Sequence, residues 1–140
     1  MINSEMDYYR IWETKMATNN IDLSTLSFSQ GFPITGANSG DKSGYSVSGA
    51  GDVNGDGYAD VIIGAYGINT AYVIYGSQSL GSEINLSTLT ASQGFSITGA
   101  PASSYSGYSV SGADDVNGDA VGIKVGAVGF ADGIKVGRDV

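Results

Sequence analysis

At 140 residues the chain is long enough for one modest core, and a hydrophobic content of 41% supports one, while 22 glycines point to many turns. A formal charge of −8, from six basic against fourteen acidic residues, excludes a nucleic-acid or anionic-membrane surface and suits divalent cations. With neither cysteine nor histidine, the chain offers no disulfide, no thiolate nucleophile, no Ser-His-Asp arrangement and no zinc site of the usual kind.

Residues 1–20, "MINSEMDYYRIWETKMATNN", carry Glu5, Asp7 and Glu13 without an apolar stretch, so they do not read as a signal peptide. Ile11, Trp12 and Met16 would form one face of a short helix; a frayed or unrelated leader is the alternative, and no function is assigned to it. No run approaches the length of a transmembrane segment.

From residue 21 the chain repeats itself. "IDLSTLSFSQGFPITGANSGDKSGYSVSGAGDVNGDG" at 21–57 returns as "INLSTLTASQGFSITGAPASSYSGYSVSGADDVNGDA" at 84–120, with a constant offset of 63. A period this long belongs to propeller blades or related repeats. Short runs rich in Val, Ile, Tyr and Thr predict strands at 31–35, 45–49, 59–64 and 71–75, with 94–98 reopening the pattern and "NLSTL" as a helical turn. The runs at 61–63 and 72–75 do not alternate apolar with polar, so they want cover on both faces, as blade packing supplies. The expected fold is all-β, with four antiparallel strands per unit.

Between the second and third strands lies an acidic loop. Asp52, Asn54, Asp56 and Asp60 stand at relative positions one, three, five and nine, with Gly55 and Gly57 flanking Asp56. A hard cation such as Ca2+ takes six to eight oxygens, and a tightly wound loop aims alternate side chains inward, with the Tyr58 carbonyl as the backbone ligand at position seven. Carboxylates crowded in this way repel one another unless a cation neutralises them. A polar hairpin turn explains Asn-Gly and Asp-Gly but not acids at one, five and nine. An EF-hand needs a Glu at position twelve, where this chain has Ile63.

The second copy is degraded. Asp115, Asn117 and Asp119 repeat the first three ligands of the loop at 115–123, but Gly122 stands where Asp60 stands, and the loop is one residue shorter. Asp114 precedes position one and is expected to point outward. Lys124 aligns with Ile62 and Lys135 with Val73, which suits a last blade with one uncovered face; "GIKVG" recurs at 122–126 and 133–137, which makes a frayed or rearranged C-terminus the alternative.

Residues 43–67, "SGYSVSGAGDVNGDGYADVIIGAYG", resemble the FG-GAP repeat of integrin alpha-chain β-propellers and their bacterial relatives, and the resemblance extends over about 21–140. Gly44, Asp52, Asn54, Asp56, Asp60, Gly64 and Ala65 keep the pattern; Ser43 replaces the usual Phe, and Tyr66 or Val128 the usual Pro. The resemblance implies FG-GAP-type blades whose loops bind calcium, in a propeller that presents a surface for adhesion or ligand recognition. Two copies supply one complete blade, about 44–99, with parts of two others, so an incomplete propeller segment is expected.

The implied function is structural calcium binding, without catalysis, in an extracellular or cell-surface adhesion protein. The partners implied are a protein or glycan ligand and either the remaining blades or further copies of the chain. A non-catalytic accessory segment of a secreted hydrolase is the alternative. The pattern Asn85-Leu86-Ser87 is a weak glycosylation signal.

Overall fold

The computed structural model describes residues 21–78, 83–99, 103–113, 122–127 and 130–136. The leader at 1–20 and the second acidic loop, with Asp114, Asp115, Asn117 and Asp119, lie outside the described residues. The chain divides into two compact units, Met1–Gly31 and Phe32–Val140. In the first, the described residues hold a 3₁₀ turn, Leu23–Thr25, capped by the Asp22 carboxylate, which accepts from Ser24 N–H at 2.9 Å.

The second unit is built of short strands: β1 Ile34–Thr35, β2 Ser43–Gly51, β3 Asp60–Ala65, β4 Thr70–Ile74, β5 Ile84–Asn85, β6 Gly94–Thr98, β7 Ser109–Ala113, β8 Gly122–Ala127 and β9 Phe130–Val136. Its helical content among the described residues is two 3₁₀ turns, Tyr66–Ile68 and Leu86–Thr88. The latter is the expected turn in "NLSTL", capped by Asn85 Oδ1, which accepts from Ser87 N–H at 2.9 Å. The fold is all-β, and no helix among the described residues is long and apolar enough to cross a membrane.

Two antiparallel sheets carry the structure. The first runs β2-β3-β4-β6 and the second β7-β8-β9. The strand expected at 31–35 does not open the first sheet: only Ile34 and Thr35 are extended into a strand, and they pair in parallel with β5. The fourth strand of the sheet is instead β6, the "GFSIT" of the following repeat, so the blade closes across the repeat boundary. Proline at 33, where the second copy has Ser96, removes one backbone donor from the first version of that strand.

Strand register preserves the repeat. Gly49 faces Val61 and Gly112 faces Ile123, so the second connection is one residue shorter, as the alignment requires. Lys124 and Lys135 are cross-strand partners, as are Ile62 and Val73 in the first sheet.

Packing on both faces explains the non-alternating runs. Ala50, Ile62, Ala71 and Val73 on one face of the first sheet pack against Val110, Ile123 and Val125 of the second. Ile63, Ala65, Tyr72 and Ile74 on the other face pack against Ile84 and Leu86, with Phe32 and Ile34 alongside. Full burial of an Ile or Val side chain stabilises a fold by about 1.5–3 kcal/mol, so these residues dominate its cohesion.

The two sheets approach closely where side chains are missing. A Cβ placed on Gly64 would run into the Gly107 carbonyl and the Ser46 hydroxyl, whose own bond to Gly107 O is 3.0 Å. Gly64→Ala therefore forces backbone apart, and we expect it to lower unfolding free energy by about 1–3 kcal/mol in urea titrations. At Gly49 the added carbon meets nothing within 4 Å, so Gly49→Ala should stay within about 0.5 kcal/mol of the parent. Equal effects of the two substitutions would show that the sheets do not meet at Gly64.

Candidate functional site

The acidic loop leaves β2 at Gly51 and enters β3 at Asp60. Its turns are set by side chains accepting backbone protons. The Asp52 carboxylate accepts from Gly55 N–H at 2.7 Å and Asp56 N–H at 3.0 Å through Oδ1, and from Gly57 N–H at 2.8 Å through Oδ2. One carboxylate thus holds three successive amides on one side of the chain, which curls the loop around it. Gly55 and Gly57 stand at φ of 76° and 90°, which a side chain would resist.

Asn54 and Asp56 form the rim. Asn54 Oδ1 accepts from Asp56 N–H at 3.1 Å, and its Nδ2 donates to Asp56 Oδ2 at 2.8 Å. Asp56 Oδ1 accepts from Tyr58 N–H at 2.8 Å. The side chains of Asp56 and Tyr58 are exposed, and those of Asp52 and Asn54 half-buried.

Asp60 has a different setting. It is 1% exposed, and its oxygens take Val53 N–H at 2.7 Å and Gly76 N–H at 2.8 Å. The first bond closes the base of the loop, and the second ties the chain just beyond β4 to the start of β3. Both carboxylate oxygens accept from backbone amides of half-buried residues, so Asp60 is a structural node of the sheet as well as position nine of the loop.

The repulsion expected among these carboxylates is therefore offset in part within the chain, by N–H groups aimed at the acids. The donor set suits a hard cation by type, since every candidate atom is oxygen. As they stand, no three acidic side chains among the described residues converge closely enough to hold an ion. Asp52, Asn54 and Asp56 share one turn, whereas the oxygens of Asp60 are directed at Val53 and Gly76.

Sequence reading missed a second buried acid. Asp41, 5% exposed, accepts from Asn38 N–H at 2.9 Å and Ser43 N–H at 2.8 Å, and so winds the loop that leads into β2. Burial alone would raise its carboxyl, but the amides of Ser43 and Asn38 outweigh it and hold the group below its ordinary value of 3.8. Burial, with Asp41's charge adding to it, pushes the neighbouring Tyr72 phenol up. The signal available in sequence was the short phrase "NSGDKSG", with Asp41 three residues after Asn38 and two before Ser43.

Two outcomes follow. In chelator, Asp60→Ala leaves the Val53 and Gly76 amides without an acceptor and should cost about 3 kcal/mol, whereas Asp56→Ala, at an exposed rim, should cost about 1 kcal/mol or less; chemical denaturation of both variants compares them. Asp41, with a lowered folded-state value, adds stability that is complete above its ordinary value near 3.8 and is lost as pH falls through the lowered one. Asp41→Asn should accordingly flatten the acid limb of a melting-temperature profile below about pH 4. An unchanged acid limb would remove Asp41 from that account.

No curated protein matches the chain. A family model does match part of it: residues 43–75, from the first residue of β2 to the residue after β4, match the FG-GAP repeat, and the matched stretch forms the first three strands of the four-stranded sheet.

Proposed function

We propose that this chain is a calcium-binding, non-catalytic segment of a β-propeller, belonging to an extracellular or cell-surface protein of adhesion or recognition. The observation that carries the reading is the Asp52–Asp60 loop, an all-oxygen donor set wound on backbone amides inside an FG-GAP repeat. Asp52, Asn54, Asp56 and Asp60, with the Tyr58 carbonyl, would hold the ion. Bound there, Ca2+ supplies positive charge to a rim of carboxylates and so stiffens the connection between β2 and β3. The second loop offers only Asp115 and Asp119 as carboxylates beside Asn117, so it is the weaker site.

Absence of catalysis is part of the proposal. The loop's ligands come from one short stretch of chain, and its acids serve as acceptors for amides rather than standing beside a nucleophile. The first sheet has four strands and the second three among the described residues, and β1 pairs only with the two-residue β5. Further blades, from elsewhere in a larger protein or from other copies, are the partners that such faces and edges call for. External calcium, which is abundant, suits a loop of this type.

Calcium binding to the folded state alone raises stability by RT ln(1 + [L]/Kd), about 2.7 kcal/mol at a hundredfold excess over Kd. We expect thermal unfolding of the chain to shift upward with calcium and back with chelator, and calorimetric titration to register one dominant site. Asp56→Ala should abolish most of that heat while leaving the chelated protein close to the parent in stability. No shift with calcium would defeat the reading, and calcium-dependent turnover of a substrate by the purified chain would overturn its non-catalytic part.

A further inference from the structure

We propose that four tyrosines at the end of the blade opposite the acidic loop form a binding platform for a neutral oligosaccharide. This deepens the reading of the chain as a recognition segment, on which it rests, but it does not depend on calcium.

Strand direction separates the two ends. β2 starts at Ser43, beside Tyr45, and finishes at Gly51 before the acidic loop; β3 returns from Asp60 to Ala65 and delivers Tyr66. Tyr105 and Tyr108 come from the loop that precedes β7. Their rings meet. Tyr45 lies 4.7 Å from Tyr66 and 5.0 Å from Tyr108 between centroids, and Tyr66 lies 5.3 Å from Tyr108 and 6.2 Å from Tyr105. Tyr45 Oη donates to Tyr108 Oη at 3.1 Å, joining equivalent positions of the two repeats.

The backbone is shaped to put these rings outside. The β2–β3 register slips between Ser43 and Ser46, and Gly44 within the slip stands at φ 83°, so Tyr45 is lifted out of the regular ladder. Gly107 repeats that conformation at φ 87°, and the same turn recurs, with Tyr45 N–H on Lys42 O at 3.1 Å and Tyr108 N–H on Tyr105 O at 3.0 Å. Tyr105 itself is held at φ 51°, a left-handed conformation that a side chain of this size resists. Three of the four rings are nevertheless exposed, Tyr45 at 55%, Tyr105 at 48% and Tyr108 at 43%. A strained turn and exposed aromatic faces are both costs to the fold alone.

The chemistry selects the ligand. Aromatic faces carry a negative quadrupole, and the C–H face of a pyranose ring presents weakly positive hydrogens that stack on it. The phenols add donors and acceptors at the rim, and tyrosine loses little conformational entropy when it is fixed. Tyr45's hydroxyl is raised above its ordinary phenol value, first by its bond to Tyr108 and then by the like charge Tyr108 would carry; like any phenol it is protonated at neutral pH, with its proton on Tyr108 and its oxygen lone pairs open to a sugar hydroxyl. Tyr66 meets Tyr45 and Tyr108 edge to face and the other two contacts are tilted, so the rings pack on one another as a platform rather than standing apart as the walls of a cage for a cation. Anions are disfavoured by the net charge of −8. Four side chains present far less than the roughly 800 Å² per partner of a stable protein interface, and match a ligand of a few sugar rings.

The test is saturation-transfer NMR on the full chain with lactose, maltotriose and triacetylchitotriose, in calcium and in chelator. At least one sugar should receive saturation, and its affinity should fall at least about tenfold in Tyr45→Ala and in Tyr108→Ala, with a smaller loss in Tyr108→Phe. Tyr105→Gly relieves the left-handed residue, so it should hold or raise the melting temperature while weakening the sugar. That opposite movement is not expected of a ring serving the fold alone. The proposal is overturned if none of the three sugars binds, if the substitutions leave binding unchanged, or if the chain is a dimer that Tyr45→Ala splits, since the platform would then be a contact between copies. Sugar binding that survives Asp56→Ala or chelator while calcium heat disappears separates this proposal from the calcium reading.

Discussion

The buried carboxylate of Asp60 fixes the geometry on which the loop depends. A carboxylate in a dry place needs donors facing it, and the two that Asp60 has are backbone amides from separate parts of the chain, Val53 and Gly76. One bond gathers the loop's base, and the other locks the far end of β4 beside the start of β3. A side chain that would otherwise be a cost in the core thereby ties the acidic loop to the sheet. Asp52 then does for the tip of the loop what Asp60 does for its base, with three amides on one carboxylate.

The sheets depend on a second constraint, that of distance. Gly64 and Gly107 let backbones approach where any Cβ would collide, on the side where the apolar face of the first sheet packs against the second; its other face is covered by Ile84 and Leu86. Because β6 comes from the following repeat, the first sheet is completed across the repeat boundary. Ile34 and Thr35 stand in the equivalent place one repeat earlier and pair only with β5 among the described residues.

Much of the fold was legible because burial on both faces leaves continuous apolar runs. "VII" and "YVIY" are β3 and β4, within a residue or two of the expected bounds, and "GFSIT" at 94–98 is β6. "GFPIT" misled, since local composition does not reveal which neighbour a strand will pair with. The spacing of Asp52, Asn54 and Asp56 announced a wound loop, and the structure winds it. The anchoring of Asp60 was not legible, because one of its two amide partners, Gly76, is sixteen positions away. The tyrosines carried a readable signal in "SGY" at 43–45 and 106–108, two copies of one phrase that bring their phenols together.

The central claim is that the loop is wound by its own amides, so that the calcium ion proposed for it would draw together the acids of a loop already curled rather than create the curl. Amide hydrogen exchange in chelator tests this most directly, read at Val53, Gly55, Asp56, Gly57 and Gly76. The account predicts slow exchange at Val53 and Gly76, whose acceptor is buried, and measurable protection at Gly55 through Gly57, with calcium adding to both. Free exchange at all five amides in chelator, with protection appearing only when calcium is added, would contradict it and make the ion, rather than Asp52 and Asp60, the organiser of the loop.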